Sequence, residues 1–334
     1  MDFQLTDDQR ALRAGMRELL ERSFPRARLR AVVDGDGERG AELDRALWRK
    51  LGAAGLFALR VPESAGGVGL GLPEAVLAFE EAGRALLPGP LVATELAAGL
   101  SGALAAGAVQ GETVVTALDE GGVRTPVEHL ACADAVLALG PTAVGLIPAA
   151  EVARAAEPIR SVDPATPLHR TAQNRARQDQ AGPSRSGIAA RLRREAALLT
   201  AAQQLGSASR TVELAVDHAK RRTQFGRPIG AFQAVQHLCA QMLVRAESSR
   251  SVVYAAAVTE DPGDIAAAKL LADEAAVRNA RDCLQVHGGM GFTWEADVHL
   301  HLKRAWVRAG QWQCAAAAEE ELAAGLVSTV ETCL

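Results

Sequence analysis

Residues able to recognise a phosphate-bearing aromatic ligand cluster between Arg221 and Met242, in the run Arg-Arg-Thr-Gln-Phe-Gly-Arg-Pro-Ile-Gly-Ala-Phe-Gln-Ala-Val-Gln-His-Leu-Cys-Ala-Gln-Met. Arg222 offers a planar guanidinium fork suited to phosphate, and Phe225 a flat ring suited to a heteroaromatic. Gly226 to Gly230 force a turn that presents both side chains outward. Beyond it Phe232, Val235, Leu238, Cys239 and Met242 recur at helical spacing, with Gln233 and Gln236 beside that stripe as hydrogen-bonding groups for a ligand. Taken alone, the stretch also reads as an ordinary helix–loop–helix connection, with Arg222 a solvated charge at a helix C-terminus.

A second stretch, Gln285-Val-His-Gly-Gly-Met-Gly-Phe-Thr-Trp-Glu295, adds glycines whose simplest use is to end a helix. Gly288 stands where the left-handed terminal residue belongs, while Gly289 and Gly291 imply a close backbone approach to something else. Together the two stretches resemble the C-terminal signature of the acyl-CoA dehydrogenases, flavoenzymes that oxidise acyl-CoA thioesters between Cα and Cβ. The resemblance implies FAD as cofactor and an acyl-CoA as substrate. It also implies that Arg222, Phe225, Gln233, Gln285, Val286, His287, Gly288 and Gly289 touch the FAD held by a neighbouring subunit. His287 receives no catalytic role.

Several elements must position these residues. Thr6 and Gln9 form a capping box ahead of Leu12, Met16, Leu19 and Leu20, which predicts a helix from about residue 7. A second helix is expected over Glu42 to Ala54, on Leu43, Leu47 and Leu51. A Pro- and Gly-rich loop from Leu56 to Leu70 leads to a helix opened by Pro73 and running to about Leu86. Trp48, the Val61-Pro-Glu triplet and Gly66-Gly67 in this order resemble the family's N-terminal helical domain. From Gly111 the short apolar runs Thr113–Leu118, Ala135–Leu139 and 143–147 predict strands, expected to be antiparallel. In the family this β domain carries a Thr-Glu-Pro-x-x-Gly-Ser stretch and a later tryptophan segment against the flavin ring; here Val115 to Glu120 resembles the first and nothing the second. The polar run from Arg170 to Gly187 reads as an exposed connection. From about Ile188 the chain turns helical again, over Leu192–Lys220, the Phe232 helix and Asp264–His287, with Asp264 as N-cap, as a four-helix bundle would. The expected fold is therefore mainly α: an N-terminal helical domain over 1–110, a reduced β domain and linker over 111–185, and a C-terminal bundle over 186–334.

Composition narrows the partners. Of 334 residues 49% are hydrophobic and 23% charged, ordinary for a globular protein, and a net charge of -4 gives no basic footprint for nucleic acid or an anionic membrane. The N-terminus lacks the basic and apolar regions of a signal peptide, and no apolar run reaches transmembrane length. The five cysteines, Cys132, Cys239, Cys283, Cys314 and Cys333, are scattered without metal or redox spacing, so no metal site is expected. The protein is expected in a reducing cytoplasm.

The family's reaction needs a carboxylate to take the α-proton. In many members it is a glutamate beyond the C-terminal glycines; counting from Gly291, that position is Trp312. In others it opens the helix leading to the arginine motif; counting back from Phe225 through Gly206, that position is Ala196. Glu195 is one residue away, which on a helix is about 100° of rotation. It is the one candidate base, and between Arg193 and Arg194 its other reading is a solvated surface charge. These absences resemble the short subunits of heteromeric acyl-CoA dehydrogenases, including those acting on sterol side-chain CoA esters. The expectation is a base-lacking subunit in an α2β2 assembly; the alternatives are a self-sufficient homo-oligomeric enzyme and a flavin-free scaffold.

Overall fold

The computed structural model describes residues 4–35, 43–120, 126–140, 144–171 and 186–333, leaving aside the side chains of 186 and 327–333. In chain order come the helices α1 (Asp7–Ser23), α2 (Arg26–Val33), α3 (Arg45–Ala53), α4 (Leu72–Arg84), α5 (Leu91–Ala98) and α6 (Ala103–Val109). The strands β1 (Val115–Asp119), β2 (Val127–Glu128), β3 (Ala135–Leu139) and β4 (Val144–Pro148) follow, then α7 (Ala149–Ala153), β5 (Ala156–Ile159) and β6 (Leu168–Thr171). The chain ends with α8 (Ser186–Arg221), β7 (Thr223–Gln224), β8 (Arg227–Pro228), α9 (Gln233–Thr259), α10 (Pro262–His287), α11 (Val298–Ala309) and α12 (Ala315–Cys333). The fold is mainly helical, with N-terminal helices, a small β region and C-terminal helices. Contacts divide it into two units: Met1–Arg17 with Val76–Leu86 and Ala197–Leu334, and Glu18–Ala75 with Leu87–Ala196.

In the unit built on Glu18–Ala75 and Leu87–Ala196, Asp44 caps α3 by accepting from the Ala46 N–H at 3.0 Å and the Leu47 N–H at 2.9 Å. The helix therefore starts at Arg45, three residues later than apolar spacing alone predicts, because the cap rather than the stripe sets the first turn. Trp48 is buried and lies 4.8 Å from Phe57, centroid to centroid.

The expected strands form, but not all antiparallel. β1 pairs with β3 in parallel, β3 with β4 antiparallel, and a second sheet runs β2–β6–β5. The cause is a short excursion: after β1 the chain gives β2 to the other sheet, so β3 returns to β1 in the same direction. As the central strand, β3 is buried at Ala135, Val136, Leu137 and Leu139, which explains its unbroken apolar run. Residue 143 of the expected third strand and residues 172–185 of the expected polar connection lie outside the described residues, as does the Cys333 side chain.

In the other unit the capping box is present, with Gln9 N–H to Thr6 Oγ1 at 3.1 Å and Thr6 N–H to Gln9 Oε1 at 3.0 Å. α4 and α8 approach so closely that a Cβ at Gly83 would strike the Gln203 backbone and one at Gly206 the Glu80 backbone. The flanking acids are paired: Glu81 with Arg17 at 2.6 Å, and Glu80 with Arg250 and with the Tyr254 hydroxyl, which donates at 2.6 Å.

α10 packs against α9, α11 and α12, and an apolar cluster joins its Ala280, Cys283 and Leu284 to Ala215 and Ala219 of α8 and Met242 of α9. Its N-cap is Asp261, not Asp264. Asp261 Oδ1 accepts from the Gly263 N–H at 2.8 Å and the Asp264 N–H at 3.1 Å, with Pro262 preset for the first turn. Asp264 instead sits in the first turn, where the helix dipole favours an acid.

Candidate functional site

The Arg222 segment is a two-residue β-hairpin. β7 and β8 pair Gln224 with Arg227, and the turn residues Phe225 and Gly226 have φ of 52° and 75°. Positive φ at both positions defines the tight turn whose twist suits a hairpin, and a phenylalanine there adopts it against its own preference. The result is a ring 91% exposed at the tip of a hydrogen-bonded element. Phe232, at the head of α9, supports it edge-on at 6.0 Å and is itself covered by the Arg227 guanidinium at 4.3 Å.

Arg222 is fixed by its main chain: its N–H donates to the His218 carbonyl at 2.8 Å, and its carbonyl accepts from Ile229 N–H at 2.8 Å. The guanidinium is exposed and makes no hydrogen bond or ion pair among the described residues. Gln233 is likewise exposed and unengaged. Gln236 differs from expectation, since its Nε2 donates to the Gly230 carbonyl at 2.9 Å and so holds the turn.

The second segment ends α10. Gln285 is exposed, whereas Val286 turns its side chain into the apolar cluster and has only backbone to offer outward. His287 Nδ1 donates to the Cys283 carbonyl at 2.8 Å. Gly288 has φ of 61° and ψ of -143°, so it is not the left-handed terminal residue expected; its N–H bonds to the Gln285 carbonyl and opens a 3₁₀ turn. The glycines divide by role. A Cβ at Gly288 or Gly289 would meet nothing within 4 Å, but one at Gly291 would press on the Leu284 backbone at 2.9 Å. Gly291 thus serves internal packing, and only Gly288 and Gly289 present open backbone. Met290, Phe292 and Trp294 beside them are exposed.

A contact invisible in the sequence joins the segments: His218 of α8 stacks on His287 of α10, centroids 4.1 Å apart and planes at 26°. Burial first, then His287, Arg222 and Arg221, pull the His218 imidazole below its ordinary range. Burial pushes the neighbouring Cys283 thiol up to about 12, so it stays protonated. No helix among the described residues is long and apolar enough to cross a membrane.

Neither of the two positions counted for the family's base carries a carboxylate. Trp312 occupies a turn with φ of 63°, and Ala196 is fully buried. Glu195, in the other unit, is not the solvated surface charge one of its readings suggested: it is 5% exposed, and its carboxylate accepts from Arg60 Nη1 at 2.9 Å. Arg60 Nε and Nη2 bind Glu95 at 2.6 and 2.9 Å. Burial alone would lower the Arg60 pKa, but Glu95 and Glu195 hold it above the ordinary value.

Residues 6–122 match the family model for the acyl-CoA dehydrogenase N-terminal domain, and residues 188–310 that for the C-terminal domain. Acyl-CoA dehydrogenase IpdE2 of Mycobacterium tuberculosis is 36% identical over 90% of this chain and 91% of its own length. Among solved structures, a chain of the ChsE4–ChsE5 complex from Mycobacterium tuberculosis superposes with a TM-score of 0.83 at 27% identity, covering 98% of this chain and 99% of that one. A chain of the Tcur3481–Tcur3483 steroid ACAD gives 0.81 at 27% identity, covering 97% and 99%.

Proposed function

Since the chain belongs to the acyl-CoA dehydrogenase family, we propose that it is the base-lacking subunit of a heteromeric acyl-CoA dehydrogenase, completing an FAD site whose base comes from the partner subunit. The observation that carries this reading is the state of the carboxylates. Trp312 and Ala196 stand at the two positions where the family's base is counted, and the adjacent Glu195 is already bound to Arg60. Its carboxylate is enclosed and engaged within the chain, so it is not presented to the α-carbon of a substrate.

The residues of the other unit fit a flavin dinucleotide. Arg222 offers an unengaged fork to a phosphate, Phe225 an exposed ring to a heteroaromatic, Gln233 and Gln285 side-chain amides, and Gly288 and Gly289 backbone with no Cβ in the way. Bound there, FAD supplies the acceptor for the hydride that leaves the β-carbon of the acyl thioester. This chain's part is to hold the cofactor and keep water from it; the exposed Phe225, Met290, Phe292 and Trp294 suit a surface that another chain covers. The names of the ChsE4–ChsE5 complex and of the steroid ACAD support a two-chain enzyme acting on a steroid-linked acyl-CoA.

Co-expression with a longer homologue that carries the glutamate, followed by co-purification, flavin absorbance and an electron-acceptor assay on acyl-CoAs, tests the proposal. An α2β2 assembly with flavin is expected, and little FAD or oxidation from the chain alone. A homo-oligomer bearing one FAD per chain and turning over unaided overturns it.

A further inference from the structure

The stack of His218 on His287 is used by neither the base argument nor the cofactor contacts, yet it is the contact that ties the two segments together. His218 precedes Arg222 by about one helical turn and supplies the carbonyl that holds the Arg222 N–H at 2.8 Å. His287 is the last residue of α10 before Gly288. Its ring is oriented from its own helix, because a carbonyl only accepts and Nδ1 must therefore be the protonated nitrogen in the bond to Cys283.

We propose that His218 is the positioning residue for both segments: its uncharged ring, stacked on His287, holds the Arg222 hairpin and the Gly288–Gly289 turn in one arrangement, and a proton on the stack drives them apart. The proposal rests on reading the two segments as contacts to one ligand.

The surroundings favour that outcome. The groups that act on His218 are Arg221 at the end of its own helix, Arg222 just beyond it and His287 of α10, all of them opposing added positive charge. In the apolar cluster behind, the ionisable side chains are Cys283 and, from α9, Cys239, both pushed up by burial and so uncharged. Asp282 is already bound to Arg245. A proton on His218 thus enters an apolar and cationic environment. The sign follows from the lowered pKa: the contact stabilises the arrangement above the ordinary histidine value, about 6.5, and that contribution is lost as pH falls below it.

Hydrogen exchange in the full chain, corrected for intrinsic rates, decides the matter when peptides covering 222–232 and 285–292 are followed at pH 8 and pH 5.5. Exchange in both is expected to accelerate together on acidification, while the α10 interior over 265–280 stays unchanged. His218→Phe keeps a flat ring that takes no proton and should exchange slowly at both values; His218→Ala should be fast at both. If His218→Ala does not fold, His287→Ala replaces it and, lacking the stack, should likewise be fast at both values. Acid response retained in His218→Phe, or acceleration of one segment without the other, overturns the proposal. FAD retention in the co-expressed assembly separates the two readings. The expected exchange pattern without any FAD binding supports the positioning role and removes the cofactor reading, whereas FAD bound equally by every variant at both pH values does the reverse.

Discussion

Arg60 and Arg222 show one side chain in two opposite states. Arg60 is mostly buried, and its fork is filled by two buried carboxylates at 2.6 to 2.9 Å. Arg222 has both main-chain groups bonded at 2.8 Å, while its guanidinium is exposed and engaged by nothing among the described residues. Burial forces a charge to find partners within the chain. An exposed fork on a hydrogen-bonded hairpin is instead pre-positioned for a group from outside. The same contrast separates the buried Trp48 from the exposed Phe225. Which residues a fold leaves unsatisfied, and how firmly it holds them, says more about a binding site than residue type alone.

The sharpest way to break the contrast is Arg60→Ala, which leaves Glu95 and Glu195 buried without their cation. A loss of about 3 to 5 kcal/mol in unfolding free energy is expected by urea denaturation, and a loss below about 1 kcal/mol would show that the cluster is solvated. Arg222→Ala should do the reverse, leaving the unfolding midpoint unchanged while FAD retention in the assembly weakens by about 1.5 to 3 kcal/mol, the worth of a charge-assisted bond. Unchanged retention removes Arg222 from the site.

Glu195→Gln is a finer probe, since it keeps shape and removes one charge from the Arg60 cluster. About 1 kcal/mol of stability should go, with acyl-CoA oxidation by the assembly intact; a fall of several orders of magnitude in turnover with substrate still bound would identify Glu195 as the base. The smallest effect is expected at Glu213. Burial pushes its carboxyl up, but hydrogen bonds from Arg84 and Arg210 outweigh this and hold it below its ordinary value. Its contribution is therefore present above the ordinary carboxylate range and lost as pH falls through the lowered pKa. Because the side chain is 42% exposed the effect is screened, and Glu213→Gln should only soften the acid limb of a stability–pH curve below about pH 5. An unaltered acid limb would mean the pairing with Arg84 and Arg210 is spent against solvent.

What could be read from the sequence was local. The capping box at Thr6, the turn at Gly226 and the apolar stripe of α9 each lie within a few residues, so their signal sits in the sequence window that forms them. The family resemblance likewise rests on short local motifs, from Trp48 and Gly66-Gly67 to the two C-terminal segments. What could not be read was long-range. The parallel pairing of β1 with β3 depends on where β2 goes; the burial of Glu195 depends on Arg60, over a hundred residues away; and no spacing relates His218 to His287. Gln236 had the right residue type for a ligand contact but a nearer acceptor in Gly230. Gly291 looked like its neighbours until its surroundings were known.

The crossing of α4 and α8 limits how a carboxylate could come to stand at position 196. Sliding or turning α8 by one position would bring Glu195 to where Ala196 now points, and it is the simplest change one would imagine. At Gly206, however, the helix lies against the Glu80 backbone so closely that no side chain fits, and Gly83 meets Gln203 from the other helix in the same way. A one-residue shift would carry Leu205 or Ser207 into that contact. The thread of this screw is therefore locked by two hydrogen atoms where side chains would be, and a carboxylate at 196 is reachable only by changing residue 196 itself, in a position that is now wholly enclosed.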